Sequence, residues 1–249
     1  MSDIAIITAA HDPNPEYLHD AYASLLDQQG ADWRWLLQID GASPDLPSFL
    51  SDDQRISVAC NGRQMGAAIT RINALARVEN ERYIQNLDAD DRLLPEALGT
   101  LQAALKDAPE TAFAFGYELT AHPDGRELPY SGPLHPGLIP AGEFVSRWRE
   151  QHHPPAHPAG VMWRLDPLLA YGGWSALWSG QDTAVLVAAS VHHPCVFVDQ
   201  LTFWYRWHGE KQLSRSPEAA ALAETKVKFI EMRARVLEAG GAAWHPILH

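Results

Sequence analysis

The run Ile4-Ala5-Ile6-Ile7-Thr8-Ala9-Ala10 constrains this chain most, because it is too continuously apolar for a strand with one wet face. Strands covered by helices on both faces have that pattern, and they belong to parallel sheets. Asn14 supplies a helix cap, with Pro15 at the first helical position and Glu16 in the first turn. Leu18, Ala21, Tyr22 and Leu25 then recur at helical spacing until Gly30. Trp35-Leu36-Leu37-Gln38-Ile39 predicts a second strand, cut off by the turn formers Asp40-Gly41-Ala42-Ser43-Pro44. Strand, helix and strand make a βαβ unit, which predicts an α/β protein with a central, mostly parallel sheet flanked by helices.

The rhythm continues to about residue 120. Arg55 to Ala59 predicts a strand, Ala67 to Val78 a helix, and Tyr83 to Leu87 a strand. Pro95 opens a helix with Leu98, Leu101 and Leu105 on one stripe, and Ala112 to Leu119 predicts a further strand. Beyond it, Pro129 to Pro140 and His152 to Pro158 are dense in Pro, Gly and His, as ordered loops shaped around a substrate are. A strand over Cys195 to Tyr205 follows. Ser216-Pro217-Glu218 opens a last helix with Leu222, Phe229, Ile230, Val236 and Leu237 on a stripe, stopped by Gly240-Gly241. This helix is a candidate contact for a homodimer.

Composition narrows the function. The chain of 249 residues can bury a proper core as one domain, and 46% apolar with 20% charged residues excludes a disordered or fibrous protein. A formal net charge of -12 provides no footprint for a phosphate backbone, so nucleic acid is not an expected partner. Cys60 and Cys195 form neither a Cys-x-x-Cys pair nor a dense disulfide scaffold, which predicts reduced thiols. The longest apolar run, Ala184 to Val191, is too short to span a membrane, and Met1-Ser2-Asp3 carries no basic leader. A soluble, cytoplasmic protein is expected.

Asp88, Asp90 and Asp91 crowd like charges at the carboxyl end of a buried strand, which is costly without a cation or strong donors. Carboxylate oxygens suit Mg²⁺ or Mn²⁺, whose shells are commonly completed by substrate phosphates, and this points to a diphosphate substrate. A solvated turn or helix cap ahead of Pro95 is the alternative. His152, His153 and His157 invite a zinc reading, but Pro154, Pro155 and Pro158 prevent a helix from presenting them together.

Further segments fall into order around these acids: Ile6 to Asp12, Asp40-Gly41-Ala42-Ser43, Arg71-Ile72-Asn73, Tyr83 to Asp91, Gly160 to Arg164, Gly172-Gly173-Trp174 and Gln181-Asp182. In this order and spacing they resemble the family 2 glycosyltransferases of the GT-A fold, over roughly residues 4–215. The resemblance implies a donor half at 1–120, an acceptor and catalytic-base half at 121–215, and a terminal helix and tail at 216–249.

It also implies a nucleotide-sugar site made by Ala9, His11, Asp40, Arg71, Asp88, Ala89 and Asp90. Asp40 would accept a hydrogen bond from the uracil imide of a UDP-sugar, or merely cap its turn. His11 would stack on the base, with a partly buried structural histidine as the alternative; Arg71 would reach the phosphates, with a solvated helix side chain as the alternative; and Asp88 would touch ribose or sugar. Asp90 and His208 would hold Mn²⁺ or Mg²⁺ against the diphosphate. Asp182 stands where inverting members have their general base, with helix capping as the alternative. His157, Trp163, Trp174 and Trp178 are candidates for acceptor contacts, with core packing as the alternative.

The segment Tyr205 to Arg215 holds His208, Lys211, Gln212 and Arg215, groups able to close over a diphosphate. Gln212-x-x-Arg215 resembles the Gln-x-x-Arg-Trp of processive synthases, but Ser216 stands for the Trp, so non-processive transfer to a small molecule or glycan is expected. Ala9-Ala10 replaces the usual Pro-Thr, Ile39 an acid and Gln181 a Glu, which leaves dTDP- and GDP-sugars open beside UDP-sugars. A sugar nucleotidyltransferase would carry a Gly-rich basic loop after the first strand, which is missing here. A non-catalytic nucleotide-sugar or glycan-binding domain is the rival of another class. Neither G-x-G-x-x-G nor G-x-S-x-G is present, which argues against dehydrogenase and triad-hydrolase chemistry.

Overall fold

The computed structural model describes residues 2–130, 132–208 and 216–240. Strand β1 (Ile4–Ala10) lies between β2 (Trp33–Ile39) and β4 (Tyr83–Asn86), parallel to both, and β3 (Ile56–Cys60) continues the sheet beyond β2. On the other side the sheet runs from β4 through β9 (Met162–Arg164), β6 (Phe113–Ala121) and β10 (Cys195–Arg206) to β5 (Arg92–Leu93). The long ladders, β1 with β2 and β6 with β10, are parallel. The antiparallel pairings are short, including those of β7 (Glu127–Tyr130) on β6 and β8 (Gly137–Ile139) on β10.

The continuous apolar pattern of β1 has the expected cause. Ile4 and Ile6 pack with Leu18 and Leu25 of α1 (Pro15–Leu26) and with Leu98, Leu101 and Leu105 of α4 (Ala97–Asp107). Ala5 and Ile7 belong to the opposite core, with Ala68, Ala74 and Leu75 of α3 (Ala67–Leu75). Neighbouring strand residues point to opposite faces, so two buried faces require an unbroken apolar run. Each fully buried Leu or Ile contributes about 1.5–3 kcal/mol.

A third core joins α5 (Glu143–Gln151), α7 (Gln181–Ser190) and α9 (Ala223–Glu238) through Val145, Trp148, Ala184, Val187, Ile230 and Ala234. The longest apolar run of the chain is thus α7, buried from Thr183 through Ser190, and α6 (Leu165–Ala170) packs against it as well. Among the described residues no helix is long and apolar enough to cross a membrane. Helix α2 (Phe49–Asp52) is a single turn before β3.

Two expectations need correction. The Pro- and Gly-rich segment 129–140 is not loop throughout, because β8 and the end of β7 find open edges on β10 and β6. The last helix breaks at Leu222, which separates α8 (Pro217–Ala221) from α9. Its buried positions are Ile230 and Ala234, whereas Phe229 and Val236 of the expected stripe are 43% and 57% exposed. Contact with α5 and α7 selects a face offset from the most apolar one. Gly241, the second half of the expected stop signal, lies outside the described residues.

Candidate active site

Parallel strands deliver their carboxyl ends to one edge of the sheet, and ligands of open α/β folds bind beyond that edge. Here β1 ends at Ala10 and His11, β2 at Asp40, and β4 leads through Leu87 to Asp88. Ala9 and Ala89 are half-buried beside them. His11 is exposed, and its Nδ1 lies 2.7 Å from the main-chain oxygen of Asp40.

Asp40 is buried, and its carboxylate faces the turn that leads into α3. Oδ1 accepts from the Met65 amide at 2.6 Å and from Asn61 Nδ2 at 3.1 Å, and Oδ2 accepts from the Gly66 amide at 2.9 Å. Burial pushes the Asp40 carboxyl up, but these donors outweigh it and hold the group below the ordinary carboxylate range. The turn-capping role is therefore filled. Gly66 adopts φ of 88°, a conformation costly for any residue with a Cβ, and this aims its amide at Asp40.

Arg71 brings the two halves of the site together. Its side chain is 6% exposed; Nη2 donates to Asp88 Oδ1 at 2.6 Å, and Nη1 lies 3.2 Å from Asp182 Oδ1. The buried Nε has no hydrogen-bond partner. Asp182 occupies the first turn of α7, after Gly180 at φ of 77°, and also accepts from the indole Nε1 of Trp174 at 2.7 Å. Burial pushes the Asp182 carboxyl up, Arg71 pulls it down, Asp88 pushes it up again, and the balance lies above the ordinary range. For Arg71 burial opposes the charge, but Asp182 and Asp88 prevail and strengthen it.

The three clustered acids have separate partners. Asp88 meets Arg71, whereas Asp90 Oδ2 lies 2.8 Å from His208 Nε2 with its side chain 41% exposed. Partial shielding and the neighbouring Asp88 push the Asp90 carboxyl up, against His208. Asp91 turns inward and accepts from the Arg206 amide at 2.8 Å; burial and its acidic neighbours drive its carboxyl well up. Arg206 also donates from Nε to the Asp90 carbonyl at 2.9 Å and from Nη2 to Asp20 at 2.7 Å. Stacked over Tyr17 at 4.2 Å, it lines a cavity of about 540 Å³ with Pro15, Glu16, His19 and Asp20.

The acceptor candidates divide. His157 lies close enough to Glu118, Asp88 and Asp182 for their charges to act on it, although burial prevails and lowers its proton affinity. Its ring stacks on Phe203 at 5.0 Å and meets Tyr205, tilted, at 4.3 Å, and its buried Nδ1 has no partner. Trp163 is a correction: 2% exposed and 4.8 Å from the Phe113 ring, it belongs to the core because β9 inserts between β4 and β6. Trp174 is another, since its 4% exposed indole is turned onto Asp182 and offers no free face to an acceptor. Trp178 is 50% exposed. Lys211, Gln212 and Arg215 lie outside the described residues. Sequence reasoning missed the Asn61–Met65–Gly66 clamp and the Arg206–Asp20 pair, neither of which has a local motif.

The model of the family described as Glycosyl transferase family 2 matches residues 5–163, and the chain belongs to that family. TuaG of Bacillus subtilis (strain 168), a glycosyltransferase named for teichuronic acid biosynthesis, is 32% identical over 130 residues, 50% of each chain. RfbC of Myxococcus xanthus, an O-antigen biosynthesis protein, is 28% identical over 152 residues, 57% of this chain and 12% of its own. The chain thus matches half or less of the length of these relatives. The crystal structure of S. aureus TarS 1-349 in complex with UDP-GlcNAc aligns with a TM-score of 0.74 over 96% of this chain and 69% of that one. At 16% identity this is a likeness of fold.

Proposed function

We propose that this chain transfers a sugar from a nucleotide-sugar, with UDP-sugars as the first donor class, to an acceptor hydroxyl with inversion at the anomeric carbon. The observation that carries this reading is Asp182: an oriented carboxylate of raised proton affinity, linked through the buried Arg71 to Asp88 at the end of β4. Family membership and a fold shared with a UDP-GlcNAc complex support the same reading.

In this reaction the acceptor oxygen attacks the anomeric carbon as the bond to the nucleoside diphosphate breaks. Asp182 takes the hydroxyl proton while the new C–O bond forms. Its raised affinity for protons makes it a better base than an exposed carboxylate. Asp88 would meet the ribose or sugar, and His157, with an unpartnered nitrogen near both acids, would orient the acceptor.

Asp90 and His208 fit a divalent cation such as Mn²⁺ or Mg²⁺. Among the described residues no group of three metal-binding side chains occurs, and two protein donors suit an ion whose remaining positions go to phosphate and water. Burial first and the charge of Asp88 second raise the proton affinity of Asp90, and a bound cation would offset both. When bound, the ion would supply charge neutralisation for the departing diphosphate.

The test is Asp182→Asn, assayed for transfer from a panel of UDP-, dTDP- and GDP-sugars to glycan and small-molecule acceptors. Transfer falls by about 10²–10⁴-fold with UDP affinity kept, the range for a lost general base. Unchanged transfer would rule Asp182 out as the base, and nucleotide binding without turnover in the wild type would favour a binding module.

A further inference from the structure

The two oxygens of Asp182 are not equivalent. Oδ1 accepts the Trp174 indole N–H at 2.7 Å and lies 3.2 Å from Arg71 Nη1, whereas Oδ2 accepts a longer bond, 3.4 Å, from the same guanidinium nitrogen. A carboxylate has about four lone-pair sites and the indole is a donor only, so the Trp174 bond can form only with a lone pair of the carboxylate. The indole cannot drift, because Trp174 is 4% exposed and packed in the core beside α3. Before it, Gly173 holds φ of 62°, and a Cβ there would meet Ile72 Cδ1 at 2.7 Å. The turn that presents the indole is thus fixed by a residue without a side chain, packed against the helix that carries Arg71.

We infer that Trp174 is the positioning residue of the catalytic base: its N–H holds Oδ1 of Asp182 and leaves the second lone pair of Oδ2, beside its longer bond from Arg71, to take the acceptor proton. This inference rests on the reading of Asp182 as the base and replaces an acceptor contact for Trp174 with a role exerted through Asp182. The proton passes from the acceptor hydroxyl to Oδ2 as the acceptor oxygen bonds to carbon, and Oδ1 keeps its donor throughout. The charged and titratable groups around the carboxylate are Arg71 from α3, Asp88 from the turn after β4, and His157 from the turn before β9. A charge-assisted hydrogen bond also favours the ionised carboxylate, so Trp174 limits the rise that burial imposes on Asp182.

The experiment follows the nine indole N–H signals of the ¹⁵N-tryptophan-labelled full chain by NMR against pH, in the wild type and in Asp182→Asn. One indole signal is expected to titrate with the Asp182 carboxyl and to lose that titration in Asp182→Asn; no responding indole overturns the inference. Trp174→Phe keeps an apolar ring and removes the N–H. In it the Asp182 carboxyl, followed by its ¹³Cγ shift, is expected to titrate about one pH unit higher, as loss of a bond to a charged group requires. An unchanged midpoint would mean that the indole only fills space. If Trp174→Phe does not fold, the wild-type and Asp182→Asn spectra still decide. Failure of the underlying reading looks different: Asp182→Asn would transfer normally while the indole titration in the wild type persisted.

Discussion

Asp182 is placed where its charge is unwelcome, and on the proposed function this separates activity from stability at a single residue. Its carboxyl lies above the ordinary range even with the attraction of Arg71 counted, so the ionised form strains the fold at neutral pH. For an acid with a raised pKa, protonation stabilises the native state, and that gain appears as pH falls through the folded value. Asp182→Asn is therefore expected to melt no lower than the wild type at pH 7 in differential scanning calorimetry, while losing transfer. A clearly lower Tm would mean that the pair with Arg71 stabilises the fold. Asp53 shows the opposite sign. Its bidentate pairing with Arg55 and a bond from Tyr22 hold its carboxyl down at about 2. Its contribution, on the order of 1–2 kcal/mol, is present above the unfolded value near 4 and is lost as pH falls through about 2. Asp53→Asn should be less stable than the wild type at pH 7 and nearly equal to it near pH 2, measured by urea denaturation at each pH.

At the scale of elements, the turn from β3 into α3 decides where Arg71 stands. Asp40 pins that turn through the Met65 and Gly66 amides, and Gly66 combines φ of 88° with ψ of 156°, a region nearly closed to other residues. A Cβ on Gly66 meets nothing within 4 Å, so the cost of Gly66→Ala is backbone strain alone. The expected loss is about 1–3 kcal/mol in urea denaturation, and on the proposed function UDP binding weakens as well, because an amide donor to Asp40 shifts. An unchanged urea midpoint would show that the turn tolerates another conformation. The sequence located both ends of this device, Asp40 after an apolar strand and α3 from Ala67, but not their contact. That bond joins residues 26 apart, and no local pattern encodes which amides a carboxylate will meet.

The whole molecule gathers acids from separate strands and helices at one edge of its sheet. Asp88 and Asp182 are distant in sequence, yet both reach Arg71, and Asp90 meets His208 from the end of β10. Such a gathering favours ligands that bring cations, which sets the expected behaviour of the intact chain. On the proposed function, UDP with Mn²⁺ should raise the Tm by about 5–10 °C at 100 times its Kd, as a ligand gain near 2.7 kcal/mol does in a chain of this size. Asp90→Ala should abolish the Mn²⁺ dependence of that shift. If dTDP or GDP gives the larger shift, the donor class changes and the site stands; a shift independent of Mn²⁺ would remove the metal role of Asp90.

By itself the sequence determined the parallel first half of the sheet, the order of its first elements and the identity of the clustered acids. Those follow from patterns within a few residues: unbroken apolar runs, caps, and polar clusters at strand ends. Only the tertiary structure decided that Trp163 serves the core, that Trp174 turns onto Asp182, that Asp91 is buried while Asp90 meets His208, and that the last helix buries Ile230 and Ala234 rather than Phe229 and Val236. A tryptophan looks the same in sequence whether its ring fills a core, faces a substrate or holds a carboxylate. The difference lies in which distant element closes against it, and that is settled when the cores on both faces of the sheet pack.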